Sequence, residues 1–229
     1  MVSSPYPSNP PDHRPVGTID GAERRRRQAP SRADAAALLI SALVAFAYTF
    51  GVFWYRAQLG EGQPSYDIYA QHYPNLIYAL RSLRQGYGLL WNNLQDCGRP
   101  FVPSTQLGLF YPLHALFLIV GLDTGFLLVT LLHLAIAGVG TYYLCREYGV
   151  GALGALCAAL NFQVSGPTVY LAGWLPTSIL GVYVWMPVAM LLLERLLKAP
   201  SIGKGIWLGV VLTLQLLPGM PQILLFTYQ

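Results

Sequence analysis

Charged side chains are scarce in this chain. They make up 10% of its 229 residues, where a soluble domain carries about a quarter. That shortage, with a mean hydropathy of +0.45, excludes an ordinary soluble domain and points to an integral membrane protein. Cysteine is scarce as well. Cys97, Cys145 and Cys157 are too few and too scattered for a disulfide framework or a metal site. Two of them fall in apolar segments, where they read as small hydrophobes. A Walker loop, a dinucleotide fingerprint, a zinc pattern and a serine-nucleophile elbow are all missing, which removes the chemistries those motifs carry. The formal net charge is +4 but uneven, and Arg24–Arg27 supply much of it. It bears on orientation in a membrane rather than on nucleic acid, which is not an expected partner.

What the chain has is long apolar runs. Residues 1–33 are rich in Pro, Ser and Arg without periodicity, and read as a disordered basic tail. The four arginines beside an apolar run are a cytoplasmic topology signal. Residues 35–55 are long enough to cross about 30 Å of hydrocarbon, and they end in the aromatic belt Phe53-Trp54-Tyr55. Further spans are expected over 124–145, 150–170, 175–195 and 205–227. Arg146, Arg195, Lys198 and Lys204 fall on turns of one side, and the uncharged 166–174 turn on the other. The fold class is therefore an all-α polytopic membrane protein in the cell membrane, multi-pass, with its N-terminus cytoplasmic. Gly138, Gly140, Gly151 and Gly154 suit close helix contact. The apolar end at Gln229 suggests a piece of a longer bundle.

Residues 57–122 form a large outer loop, the one long polar and aromatic island between the spans. Within it, Pro74–Gln85 read as a helix stopped by Gly86. Leu76, Ile77, Leu80 and Leu83 share one face. Arg81 borders that face and Arg84 lies close to it, which places the helix in the membrane surface. The 107–120 stretch is apolar but short and broken by Pro112, so it reads as re-entrant or interfacial.

The loop also holds the candidate chemistry. Asp67 near the outer surface can accept a proton from an attacking hydroxyl or bind a divalent cation; it can also simply cap a helix. Gln71 and His72, a turn further on, can flank a polar substrate. Arg81 and Arg84 are three apart, and guanidinium groups suit phosphate; interfacial anchoring is the alternative. Trp91 with Asn92 and Asn93 offers a stacking ring beside amides, a pairing suited to a sugar, or else a belt residue before a turn. His114 and His133 lie on apolar segments as bundle-facing polar residues.

The order and spacing of several short pieces resemble the YfhO-type bacterial membrane proteins, and through them the GT-C class of polytopic glycosyltransferases. The pieces are Asp67, Gln71 and Tyr73-Pro74; Arg81 and Gly86; Trp91-Asn92; Gly98 and Pro100; Gln106 and Gly108; and Tyr111-Pro112-Leu113. Trp185-Met186-Pro187 and Gly219-Met220-Pro221-Gln222 follow. Together they cover residues 35–229. Leu90 departs from a Pro expected before the tryptophan, and Cys97 from a usual Gly. The resemblance implies a GT-C-like helical bundle whose first extracytoplasmic loop contains interfacial helices. It also implies transfer of a sugar from a polyprenyl-phosphate carrier to an envelope polymer or glycan acceptor outside the membrane. Asp67 matches the acidic residue of the first loop that acts as base or metal ligand in that class, and Gln106 and Gln222 join the substrate-binding candidates. Members of the family are longer, in keeping with the incomplete end.

A non-catalytic membrane protein is the competing reading: a transporter or flippase part, or an assembly subunit. It would favour polar residues and broken helices near mid-membrane, and Gly166-Pro167 and Pro218-Gly219 are such breaks.

Overall fold

The computed structural model describes residues 31–58, 68–103, 105–174 and 177–227. The chain divides into Met1–Arg32 and Ala33–Gln229, and the account below concerns the second unit. The basic tail, including Arg24–Arg27, lies outside the described residues. Of those described, 78% are helical and 2% are in strands.

In chain order the elements are α1 (Arg32–Gln58), a π turn (Ile68–His72) running into α2 (Tyr73–Gln85), and a two-stranded hairpin of β1 (Trp91–Asn92) and β2 (Arg99–Pro100). Short 3-10 turns at Thr105–Leu107 and Pro112–Ala115 lead to α3 (Leu116–Val120). Then come α4 (Leu122–Glu147), α5 (Ala152–Val164), α6 (Gly166–Trp174), α7 (Ile179–Val184), α8 (Met186–Lys198), α9 (Ile202–Leu216) and α10 (Pro221–Thr227). Three stretches are long and apolar enough to cross a membrane: Arg32–Trp54, Leu122–Glu147 and Ile179–Lys198. The last is α7 and α8 taken together through Trp185. Helices α5 and α9, at 13 and 15 residues, fall short of the roughly 20 that a full crossing needs. Each is followed by a break and a second short helix, at Ser165 and at 217–220. A Pro at 167 or 218 cannot continue the backbone ladder in the middle of a run.

Local chemistry sets the helix limits. Asp123 in the first turn and Arg146 in the last turn of α4 complement its dipole. The helix closes with Gly149 at φ +84°. Gly149 N–H donates to the Arg146 carbonyl at 3.0 Å and Val150 N–H to that of Cys145 at 3.1 Å, the paired closure a left-handed glycine permits. Helix α2 ends in the same way at Gly86.

Helix α4 is the spine of the bundle. Ala37 of α1 packs with Tyr142, Ala155 and Ala159, while Phe53 at the far end of α1 packs against the cluster of Phe126, Val129, Leu76 and Phe117. Helices α1 and α4 therefore run antiparallel. Close approach depends on two of the four glycines expected for it. A side chain at Gly138 would overlap Ser41 of α1 and Gln163 of α5, and one at Gly140 would meet Val188 of α8. Gly151 faces open space, and Gly154 would meet only Val150, its own neighbour in the chain. These two stand exposed at the start of α5.

The ends of the bundle differ. At one, the buried Asp34 carboxylate accepts from the Tyr142 hydroxyl and pairs with Arg146 at 3.0 Å. Glu147 there meets Arg195 at 2.9 Å and Lys198 at 3.2 Å. Lys204 donates to the Arg195 and Ala199 carbonyls at 3.0 and 2.6 Å, a cation on the orphan carbonyls of α8. At the other end, the segment from α2 to α3 folds onto Phe126 and Val129 through Leu76 and Phe117.

Candidate functional site

The outer segment owes its shape to α2 and the hairpin. Asn75, Leu76, Ala79 and Ser82 are the face of α2 buried against the protein, and of the apolar stripe of Leu76, Ile77, Leu80 and Leu83 only Leu76 belongs to it. Leu83 is exposed. Ala79 packs on Phe101 and Leu107, which small side chains allow at close range. In the hairpin, Trp91 pairs with Pro100 and Asn92 with Arg99. The turn between them carries Asp96 at φ 54°, Cys97 at φ 60° and Gly98 at φ 107°. A glycine at Cys97 would adopt this left-handed backbone without steric cost.

Of the expected site residues, Gln71 and Gln106 are brought together, the Gln71 amide donating to Gln106 Oε1 at 2.6 Å. Asn75, unmarked in the sequence, donates to the Gln71 carbonyl at 2.7 Å. Its own Oδ1 is buried with no partner among the described residues. His72 is buried. Asn92 is also buried, and its Oδ1 accepts from Leu94 N–H at 2.9 Å. That amide holds the turn, which is one of the two alternatives left open by the sequence. The Trp91 ring stays exposed and lies against Gly98, where an added Cβ would come within 2.8 Å of its Nε1. Arg81 and Arg84 are exposed, and among the described residues no acidic side chain pairs with either. Gln222 is exposed on α10 and, among the described residues, makes no hydrogen bond to the other candidates. Asp67 lies outside the described residues. Among the described residues no group of three His, Cys, Asp or Glu side chains could hold a metal ion, so the divalent-cation expectation rests on Asp67 alone.

Beneath these residues is a polar hub that the sequence did not assemble. The Trp185 indole N–H donates to the Tyr111 hydroxyl at 2.9 Å, and that hydroxyl lies 2.8 Å from His133 Nε2. Indole only donates, so the phenol oxygen accepts from Trp185, and the imidazole tautomer sets the direction of its bond with His133. His114 Nδ1 lies 2.8 Å from the Gly108 carbonyl and its Nε2 lies 3.2 Å from that of Thr177. Burial holds the His114 pKa down to about 4, against the opposing pull of those carbonyls, with a smaller depression from His72. Burial likewise pushes the Tyr111 phenol above its ordinary value. Gly108, at φ 54°, leaves no room for a side chain between His114 and the Pro218 carbonyl. The hub therefore joins the outer segment to α4, to the 177–185 stretch and to the break at Pro218. The signal in the sequence was an aromatic residue just before a helix-opening proline, in Tyr111-Pro112 and Trp185-Met186-Pro187. It marks the residues without showing that they meet.

Comparison with models of protein families, with curated proteins and with solved structures gives no match to this chain.

Proposed function

We propose that the chain is a multi-pass membrane glycosyltransferase of GT-C-like architecture. It moves a sugar from a polyprenyl-phosphate carrier to an extracytoplasmic cell-envelope acceptor. The observation that carries this reading is the outer segment, a folded layer docked on one end of an apolar bundle. It gathers the Gln71–Gln106 amide pair and presents the open Trp91 ring and two exposed guanidinium groups. Amides and an aromatic face suit a sugar, and guanidinium groups suit the phosphate it leaves. A lipid-linked donor needs a site at the membrane surface, and this layer adjoins the helices able to cross one. Asp67 stands one residue before the π turn and is the proposed base, or the ligand of a divalent cation.

Asp67→Asn keeps the shape and removes the basicity. Glycosylation of the envelope acceptor should fall about a hundred- to ten-thousand-fold in cells carrying the variant at normal membrane abundance. Unchanged glycosylation at normal abundance rejects Asp67 as the catalytic group. Orientation has its own test. Cys97 is exposed in the hairpin, so an impermeant maleimide should label it in intact cells and leave Ser201→Cys, beside the charged end, unlabelled. The reverse pattern would invert the proposed topology.

A second reading, a transporter or flippase part or an assembly subunit, draws on a different observation. Gln163 is buried in α5, donating to the Leu134 carbonyl at 2.8 Å and accepting from Ser41 at 3.1 Å. His133 and Gln215 are fully buried too. The helix breaks at Ser165 and 217–220 lie close to Gln163 and Gln215 in the chain, the combination an alternating-access site uses. Transport that survives Asp67→Asn and fails in Gln163→Ala would favour it.

A further inference from the structure

Between α2 and the 107–118 segment lies an open, mainly apolar groove of about 230 Å³. Leu76, Ala79, Leu80 and Leu83 form one wall, with Phe110 and Leu118 opposite. Leu83, Phe110 and Leu118 are all exposed, so the groove opens along its length. From Leu76 to Leu83 it runs about 10 Å at 1.5 Å per residue, room for a short stretch of one straight chain. Water fills such a groove poorly, because apolar walls give it no partners.

The charge beside it is specific. Arg84 follows Leu80 by four residues, so it stands one turn on along the same side of α2. Arg81 lies further around the helix. Long side chains on a helix lean towards its N-terminus, which lays Arg84 alongside Leu80 at the rim. At the other end of the bundle Arg146, Arg195 and Lys198 are paired with carboxylates, and Lys204 with carbonyls. An exposed guanidinium beside an apolar groove, with no acidic partner among the described residues, complements the two halves of one ligand, an anionic head and a hydrocarbon tail.

We propose that this groove holds one acyl chain of an anionic bilayer phospholipid, with the lipid phosphate on Arg84. The occupant is a phospholipid because the groove is short and open. One chain can enter while the other stays in the bilayer that surrounds the crossing helices. The occupant is a lipid of the bilayer and not the sugar donor, so this inference takes Arg84 for the lipid and leaves Arg81 to the donor phosphate.

Native mass spectrometry of the full chain in detergent, titrated with phosphatidylglycerol, tests it. The expected result is one saturable adduct. Ala79→Trp, which fills the groove, should abolish it. Arg84→Gln should weaken it about tenfold, the loss of one charge-assisted contact, and phosphatidylcholine should bind the parent chain more weakly than phosphatidylglycerol. Leu118→Gln, at an exposed wall position, should weaken the adduct without disturbing the core, so the answer does not hang on how Ala79→Trp folds. Adducts unchanged in Leu118→Gln and Arg84→Gln overturn the proposal. So does binding of a polyprenyl phosphate where phosphatidylglycerol fails to bind, which would give the groove to the donor. A dimer dispersed by Leu118→Gln would overturn it in favour of a second copy of the chain.

Discussion

The two ends of the bundle solve the same problem, burying polar groups, with different chemistry. At the Asp34 end the solution is ionic. One carboxylate is buried against a hydroxyl and a guanidinium, and the rest are surface pairs around Glu147. At the Tyr111 end it is neutral. A phenol, an indole and two imidazoles share protons among themselves and with backbone carbonyls. An ionic cluster ties helix termini firmly but punishes the loss of either partner. A neutral hub can hold an irregular segment against a bundle without burying a net charge. The irregular segment lies at the neutral end, with Arg81 and Arg84 exposed on its surface.

The largest stability effect should come from the ionic end. Arg146→Ala leaves the Asp34 carboxylate buried without its cation and should cost about 3–5 kcal/mol, read as a lower unfolding midpoint in detergent. Arg195→Ala, with its side chain about half exposed, should cost at most about 1 kcal/mol. Equal losses would mean that burial does not separate the two pairs.

A pH titration probes the neutral end. His114 has a folded pKa of about 4, below the ordinary value of about 6.5. As pH falls, the unfolded chain takes up the proton first. The stability this contributes is therefore complete above about pH 6.5 and is lost as pH falls towards 4, by about 3 kcal/mol in all. His114→Gln should flatten that slope, and an unchanged slope would assign it to other groups. Tyr111→Phe should cost about 1–3 kcal/mol, because it strips the Trp185 and His133 nitrogens of their common partner. Its ultraviolet signature should include a changed Trp185 environment. A silent substitution would mean that the hub is not holding the outer segment in place.

The sequence makes much of this legible. Uninterrupted apolar runs give the long helices, because backbone groups in an apolar setting must be bonded within the segment. Gly86 and Gly149 mark helix ends through their freedom at positive φ. Cys97, noted as a departure from glycine, sits at just such a backbone angle. The pairing of Gln71 with Gln106 was not legible. Both were named as candidates, but 35 residues separate them and nothing local sets their contact. The face of α2 that packs on Phe101 and Leu107 was not legible either, because periodicity identifies an apolar stripe and not the small residues a neighbour will approach.

Composition and order alone determined that the chain is helical and apolar, where its charges cluster, and which loop holds the polar and aromatic side chains. These are local properties, fixed by hydropathy, helix periodicity and the conformational limits of proline and glycine. The tertiary structure decided which of them meet. It set Asp34 against Arg146 across the antiparallel pair of α1 and α4, and it brought Tyr111, His133 and Trp185 to one point from three distant stretches. It also opened a groove beside Arg84 by docking the 107–118 segment on α2. Contacts of that kind depend on how helices pack, and packing is settled by the shapes of side chains far apart in the chain.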